Sequence, residues 1–212
     1  MLSKNPRIRI QVAADKSTPA QVLVELSKDI DEEVRAYVAM NRNTPAQVLV
    51  ELSKDIAEEV RTQVAIHPNT PAQVLVELSK DMYGRVRAYV AMNRNTPVQI
   101  LAELAKDINE RVRTQVAENE NTPSITLIEL SHDTSPMVRM RLAGNKKTPV
   151  TTLHELSKDE YHVVKLYVAR NPYTLSETLV ELAKNVNFDI HTEACQNPNC
   201  PIELKVEYIL SS

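Results

Sequence analysis

"VRAYVAMNRNTPAQVLVELSKDI" occupies Val34 to Ile56, and "VRAYVAMNRNTPVQILAELAKDI" occupies Val86 to Ile108. Between them, "VRTQVAIHPNTPAQVLVELSKDM" fills Val60 to Met82. The three stretches start 26 residues apart, and that period governs the rest of the 212-residue chain. Thr-Pro stands at 18/19, 44/45, 70/71, 96/97, 122/123 and 148/149, and its slot continues as Thr174-Leu175 and Cys200-Pro201. An aliphatic column keeps step at Ile8, Val34, Val60, Val86, Val112, Val138, Val164 and Ile190. Self-similarity at this period marks a repeat architecture in which each unit packs mainly on its neighbours. The expected organisation is one repeat domain, 1–212. It runs as a partial unit 1–17, full units 18–43, 44–69, 70–95, 96–121, 122–147, 148–173 and 174–199, and a partial unit 200–212.

Each unit reads as two helices. Thr44 is placed as an N-cap with Pro45 at the first helical position, and Gln47 three residues on completes a capping box. Val48, Leu49, Leu52 and Ile56 fall on one side of a helical wheel, and Leu recurs at i, i+3 in every unit. The second helix is read from about Glu33 to Met40, with Val34 and Val38 facing the core and Ala39 allowing close approach. Asn41, Asn93, Asn119, Asn145, Asn171 and Asn197 follow it, ending the helix in a left-handed residue or an Asx turn. No β-strand is needed. The fold class is therefore all-α, a solenoid of about eight two-helix repeats.

The unit "LSKDIDEEVRAYVAMNRNTP" resembles the leucine-rich repeat variant family, whose motif is close to L-x-x-L-A-x-D-x-x-x-x-V-R-x-x-V-A-x-N-x-x-T-P. The match covers nearly the whole chain. The resemblance implies a right-handed superhelix of alternating helices, one of each pair with 3₁₀ character, related to HEAT and armadillo repeats. Two departures stand out. The family's founding member carries a cysteine-ligated iron–sulfur cluster near its N-terminus, and here no cysteine precedes residue 195. The unit is also slightly longer than the family's, which points to a fully α second helix. No cofactor or metal is expected.

Composition bounds the function. Lys and Arg number 25 against 28 Asp and Glu, a net charge of −3, which leaves no basic footprint for nucleic acid. No apolar run approaches the roughly 18 residues of a membrane span, and the first residues lack a signal peptide's apolar core. A cytoplasmic protein is expected. His191, Cys195 and Cys200 lack the spacing and fourth ligand of a zinc site. The glutamate column Glu25, Glu51, Glu77 and onward stands one per unit, too sparse for paired acid–base work. No reactive constellation appears, so the expectation is a non-enzyme.

Two further columns carry candidate roles. Arg35, Arg61, Arg87, Arg113 and Arg139 recur with Asp29, Asp55, Asp81, Asp107 and Asp133. They read as a structural Asp–Arg ladder, the alternative being an arginine stripe that grips phosphates with Arg42, Arg94 and Lys146 beside it. On the second helix, Ala36-Tyr37, Thr62-Gln63, Ala88-Tyr89, Thr114-Gln115, Met140-Arg141 and Leu166-Tyr167 form an exposed arc, flanked by Met40, Ile66, Met92, Glu118, Gly144 and Arg170. Tandem duplication of a two-unit block accounts for the AY–TQ alternation by itself. Tyr and Met on a solvated face, however, are what binding surfaces favour. The ligand-contacting candidates are Tyr37, Met40, Gln63, Ile66, Tyr89, Met92, Gln115, Arg141, Tyr167 and Arg170. The expected partner is a protein or extended peptide, with nucleic acid as the alternative that the net charge disfavours. Partner identity and oligomeric state are not legible from these residues.

Overall fold

The computed structural model describes residues 3–211. Every helix among them is α, and no strand occurs among the described residues. Neither member of a repeat's helix pair is 3₁₀, so the resemblance misleads at that point. Backbone contacts divide the chain into two compact units, Met1–Leu104 and Ala105–Ser212. The first holds α1 (Pro6–Ala14), α2 (Ala20–Leu26), α3 (Glu32–Met40), α4 (Ala46–Leu52), α5 (Glu58–Ile66), α6 (Ala72–Leu78), α7 (Gly84–Met92) and α8 (Val98–Leu104). The second holds α9 (Glu110–Glu118), α10 (Ser124–Leu130), α11 (Pro136–Gly144), α12 (Val150–Leu156), α13 (His162–Arg170), α14 (Ser176–Leu182), α15 (Phe188–Gln196) and α16 (Ile202–Ser211).

In both units seven-residue helices alternate with nine-residue ones, except that α16 has ten residues. Helices this short are unstable alone in water, so packing must supply their stability. In the first unit α1, α3, α5 and α7 pack one on the next, and each short helix joins the long helix beside it. In the second unit α9, α11, α13 and α15 do the same. Leu23, Leu26, Leu49 and Leu75 from the short helices, with Val34, Val38, Val60 and Val64 from the long ones, form the buried core of the first unit. Burying a side chain of this size contributes roughly 1.5–3 kcal/mol. Ile56 does not join them. It lies at 92% exposure in the turn after α4, because the helix ends at Leu52 and the apolar periodicity runs on past it.

Thr44 does not cap the helix that follows. Its hydroxyl donates backwards to the Val38 carbonyl (2.5 Å), and its N–H donates to the Asn41 carbonyl (2.9 Å). Pro45, extended at φ −62° and ψ 145°, supplies the first carbonyl acceptor of α4, with no side-chain cap. Gln47 lies exposed, so the capping box is absent. The long helix ends in buried surroundings where its last carbonyls lack donors, and it claims the threonine hydroxyl. Thr70 and Thr96 repeat the bond at Val64 and Val90.

The asparagine column completes that satisfaction. Asn41 is extended, at φ −72° and ψ 122°, and no non-glycine described residue has a positive φ. The left-handed ending is therefore not used. Asn41 Oδ1 accepts from the Asn43 N–H (3.0 Å), which is the Asx turn. Its amide nitrogen reaches back one repeat to donate to the carbonyls of Ala13 and Asp15, both at 2.8 Å. Asn93 does likewise to Ala65 and His67, and in the second unit Asn145, Asn171 and Asn197 repeat the pattern.

The Asp–Arg columns form a second cross-link. Arg61 Nε and Nη2 donate to Asp81 Oδ2 and Oδ1 at 2.6 and 3.1 Å, a bidentate fork, while Nη1 donates to the Asp55 carbonyl at 2.8 Å. Arg9–Asp29, Arg35–Asp55, Arg113–Asp133 and Arg139–Asp159 share the geometry. Arg87 Nη1 donates to the Asp81 and Met82 carbonyls. Each aspartate also accepts the N–H two residues on, as Asp55 does from Ala57. Arg9's hydrogen bond holds the Asp29 carboxyl below the usual carboxylate range.

Two predictions follow from these cross-links. Arg61→Ala leaves a nearly buried carboxylate without its guanidinium and should lower unfolding stability by roughly 2 kcal/mol. A denaturant midpoint unchanged from wild type would refute the structural role. His67 stands where the other full repeats have asparagine. Its Nδ1 accepts from the Asn69 N–H (3.1 Å), so its Nε2 is the side that donates to the Asn41 carbonyl (3.1 Å). The ring is buried, and burial, with the nearby Arg42 charge, pushes its pKa down against the raising effect of the Asn41 bond. A depressed histidine contributes stability above its unfolded value, about 6.5, and loses it as pH falls below that. His67→Asn should flatten the decline in melting temperature between about pH 7 and pH 5; an identical slope in both proteins would show that His67 has no part in it.

Candidate functional site

The long helices of the first unit carry the residues placed on an exposed arc. The structure narrows that arc. Ala36, Thr62 and Ala88 are buried, Thr62 completely; α3 lies between α1 and α5, and α5 between α3 and α7, each with short helices beneath, so the flanks of Ala36 and Thr62 are covered. A wheel drawn on one helix sees only the core side; the flanks are covered by the stack. The first letter of each alternating pair is small because helices meet there. Tyr37, Gln63 and Tyr89 are half-buried, Ile66 likewise, and Met40 and Met92 remain exposed at 52% and 43%.

Tyr37 and Met40 share two clefts. One, of about 370 Å³, is lined by Glu32, Glu33, Ala36, Tyr37, Met40 and Glu59. The other, of about 230 Å³, is lined by Ala14, Lys16, Tyr37, Met40, Asn41 and Arg42. The rim is thus acidic beside the first turns of α3 and α5, and basic where α1 and α3 end. Glu59 already has partners: Gln63 Nε2 at 2.6 Å and Arg85 Nη1 at 2.8 Å. Of these rim residues only Arg42 was singled out from the sequence, as part of an arginine stripe; Glu32, Glu33, Glu59 and Lys16 were not. The "EEV" pairs at Glu32-Glu33 and Glu58-Glu59 were the available signal, and they read equally well as charges that suit a helix N-terminus.

The second unit treats the same columns differently. Gln115 is half-buried, and Arg141 Nη1 lies 3.5 Å from Glu118 Oε1. Arg170 pairs with Glu193 at 2.7 Å and sits over the Tyr167 ring, 5.9 Å from its centroid. Gly144 presents no side chain, and a Cβ there would stand 3.1 Å from Tyr167 Cδ1. Glu118, Arg141, Gly144, Asn145 and Tyr167 enclose a cleft of only about 130 Å³. Met140 is buried and Leu166 half-buried. Charged side chains here answer one another.

The ladder guanidiniums of Arg35, Arg61, Arg113 and Arg139 are held by aspartate and are largely covered. A phosphate would have to displace a carboxylate to reach them. Arg42, Arg94 and Lys146 are exposed in the turns. Cys195 and Cys200 are buried free thiols, and burial raises both pKa values. His191 Nε2 is 3.9 Å from Cys195 Sγ, and its Nδ1 meets the Ala183 carbonyl. Ile56, read from the sequence as part of an apolar helix face, belongs instead with Ile30 and Met82 to a column that projects into solvent from the turns after α2, α4 and α6. No helix among the described residues is long and apolar enough to cross a membrane.

No protein-family model matches the chain, and no curated protein matches it. Solved structures do. A leucine-rich repeat variant with a novel repetitive structural motif aligns with 90% of this chain and 80% of its own, at 28% identity and a TM-score of 0.64. YibA of Escherichia coli aligns with 92% of this chain and 86% of its own, at 18% identity and a TM-score of 0.56. The archaeal HEAT-like repeat protein of Thermococcus onnurineus covers 92% of this chain and 91% of its own, at 11% identity and a TM-score of 0.39. The chain is similar to the leucine-rich repeat variant in sequence and in structure, and its fold is an all-α solenoid of two-helix repeats of about 26 residues.

Proposed function

We propose that this protein is a non-catalytic scaffold that binds an extended peptide segment along the Tyr37–Met40 columns of its first unit. The observation that carries the reading is the position of Tyr37 and Met40, which form the common wall of two adjoining clefts. Tyr89 and Met92 offer the same pair two repeats later. Packed helices lie roughly 8–10 Å apart, so the two pairs are about 16–20 Å from each other. An extended chain covers that span in about five or six residues at roughly 3.3 Å each. A small molecule would instead need polar groups converging on one pocket. Aromatic side chains at such positions are frequent anchors of binding energy.

Nucleic acid is the weaker reading. Lys16, Arg42 and Arg94 are exposed, but the guanidiniums of Arg35 and Arg61, which a phosphate grip would need, are engaged by aspartate.

Selection from a phage-displayed decapeptide library tests the proposal. Tyr37→Gln with Tyr89→Gln makes α3 and α7 resemble α5, which carries Gln63 natively, so stability should stay within about 0.5 kcal/mol per site. Peptides selected on the wild type should bind the double variant at least tenfold more weakly, roughly 1.4 kcal/mol. Equal affinity for both proteins would assign the alternation to duplication alone.

A further inference from the structure

We infer that the cleft between α3 and α5 receives a lysine or arginine side chain of the bound segment, which rests on the peptide-binding reading above and gives it a chemistry. One column of the repeat changes charge where the long helices begin. Glu33, Glu59 and Arg85 stand 26 residues apart, each near the start of a long helix. Between α5 and α7 the column closes on itself, since Arg85 Nη1 binds Glu59 Oε2 at 2.8 Å. Between α3 and α5 the same register brings Glu33 and Glu59 to one cleft, with Glu32 added. Among the described residues neither Glu32 nor Glu33 has an ion pair within 4 Å, although the Glu32 charge acts at longer range on the Arg35 guanidinium. Arg85 therefore shows, inside the molecule, what kind of group this register accepts. The cleft between α3 and α5 holds carboxylates of like sign and no such group.

The walls suit the same occupant. Tyr37 presents an aromatic ring and Met40 an apolar chain beside the carboxylates, and a cation on an aliphatic stem uses both. Arginine stacks on tyrosine elsewhere in each unit: the Arg61 guanidinium lies 5.6 Å from the Tyr83 ring centroid and Arg139 lies 5.5 Å from Tyr161. A helix-dipole role alone does not account for the acids. The long helix α7 begins Gly84-Arg85, has no acidic residue in its first turn, and forms over the same nine residues. The opposite rim, Lys16 and Arg42, is basic and shares Tyr37 and Met40. A nine-residue helix is about 13 Å long at 1.5 Å per residue. The occupant therefore places its cation over Glu33 and its apolar or acidic neighbours toward Arg42.

Fluorescence anisotropy with the full chain and labelled peptides decides the matter. The probes are acetyl-(Arg-Leu)4-amide and acetyl-(Glu-Leu)4-amide, at two salt concentrations. The arginine peptide should bind at least tenfold more tightly than the glutamate peptide. Glu32→Gln with Glu33→Gln should weaken the arginine peptide at least tenfold. Glu59→Arg, which offers Glu33 the partner that Arg85 offers Glu59, should do the same with the fold intact. Glu25→Gln with Glu51→Gln, exposed acids on the short helices, should leave binding unchanged. Equal affinity of the two peptides, or an arginine peptide indifferent to Glu32 and Glu33, overturns the inference. If the glutamate peptide binds instead and depends on Tyr37, the cation site falls while peptide binding stands. If neither peptide binds, the cation site falls, and the library selection with the tyrosine variants judges the wider reading by itself.

Discussion

Each long helix of this protein ends where water cannot reach its last carbonyls, and the repeat is built around supplying them with donors. An α-helix leaves four carbonyls without intrahelical partners, and buried ones cost free energy unless paired. Threonine and asparagine meet that need from opposite directions. Thr44 donates back to Val38 within its own repeat, and Asn41 donates to Ala13 and Asp15 of the repeat before. The asparagine bonds hold one repeat to the next, so satisfying a helix end and stacking the array become the same act. Leucine and valine burial provides the bulk of the stability, but it is indifferent to small slips along the stack. The asparagine and the bidentate Arg–Asp fork are directional, and they fix the offset between repeats.

That offset is what gives the candidate surface its form. Once neighbouring long helices are locked in register, residues 26 apart face each other across a narrow gap. Where the gap meets Ala36, Thr62 or Ala88, the helices approach closely and the position is buried. Where it meets Tyr37 and Met40, a cleft opens. Small changes of letter then have large local effects, since a single column decides whether adjoining repeats present an ion pair, as Glu59–Arg85 does, or two carboxylates.

The period, the two-helix unit and the buried leucine and valine columns were legible because they rest on periodicity, which a chain records directly. The Asp and Arg columns were legible as a pair, though which aspartate each arginine takes required the stack: Arg61 reaches forward twenty residues to Asp81. Thr44 was misread for a physical reason. Thr-Pro before an apolar run is a sound N-terminal signal for an isolated helix, and nothing local reveals that the preceding helix has the stronger claim on the hydroxyl. Ile56 was misplaced because apolar spacing continues past the point where the helix stops. Ala36 and Thr62 were placed on the surface because a wheel shows one helix and burial depends on three. The rims escaped notice as such, since Glu32, Glu33 and Lys16 sit in turns and first turns where charge is ordinary, and Arg42 was read as part of a stripe along the turns. Only their convergence on Tyr37 and Met40 distinguishes them, and convergence is a property of packing.

The contrast between the two units sharpens what the open columns mean. In the second unit every charged member of the arc has an internal answer: Arg141 faces Glu118, Arg170 pairs with Glu193 and covers Tyr167, and Gly144 removes the methionine that would line the cleft. Surface ion pairs of this kind contribute little to stability, commonly 0–1 kcal/mol. They do fill the space and lower the exposed apolar area. In the first unit the equivalent places hold Met40, Ile66 and Met92, apolar side chains that gain nothing from water, Ile66 half-buried and the two methionines exposed. Folding alone would be served equally well by the charged solution, which the same repeat accepts elsewhere without distortion. Exposed methionines beside half-buried tyrosines and a cleft of three carboxylates, of which Glu59 alone has an ion pair, are therefore not explained by the needs of the fold. The proposed ligand, carrying complementary charge and apolar surface, would account for both features at once.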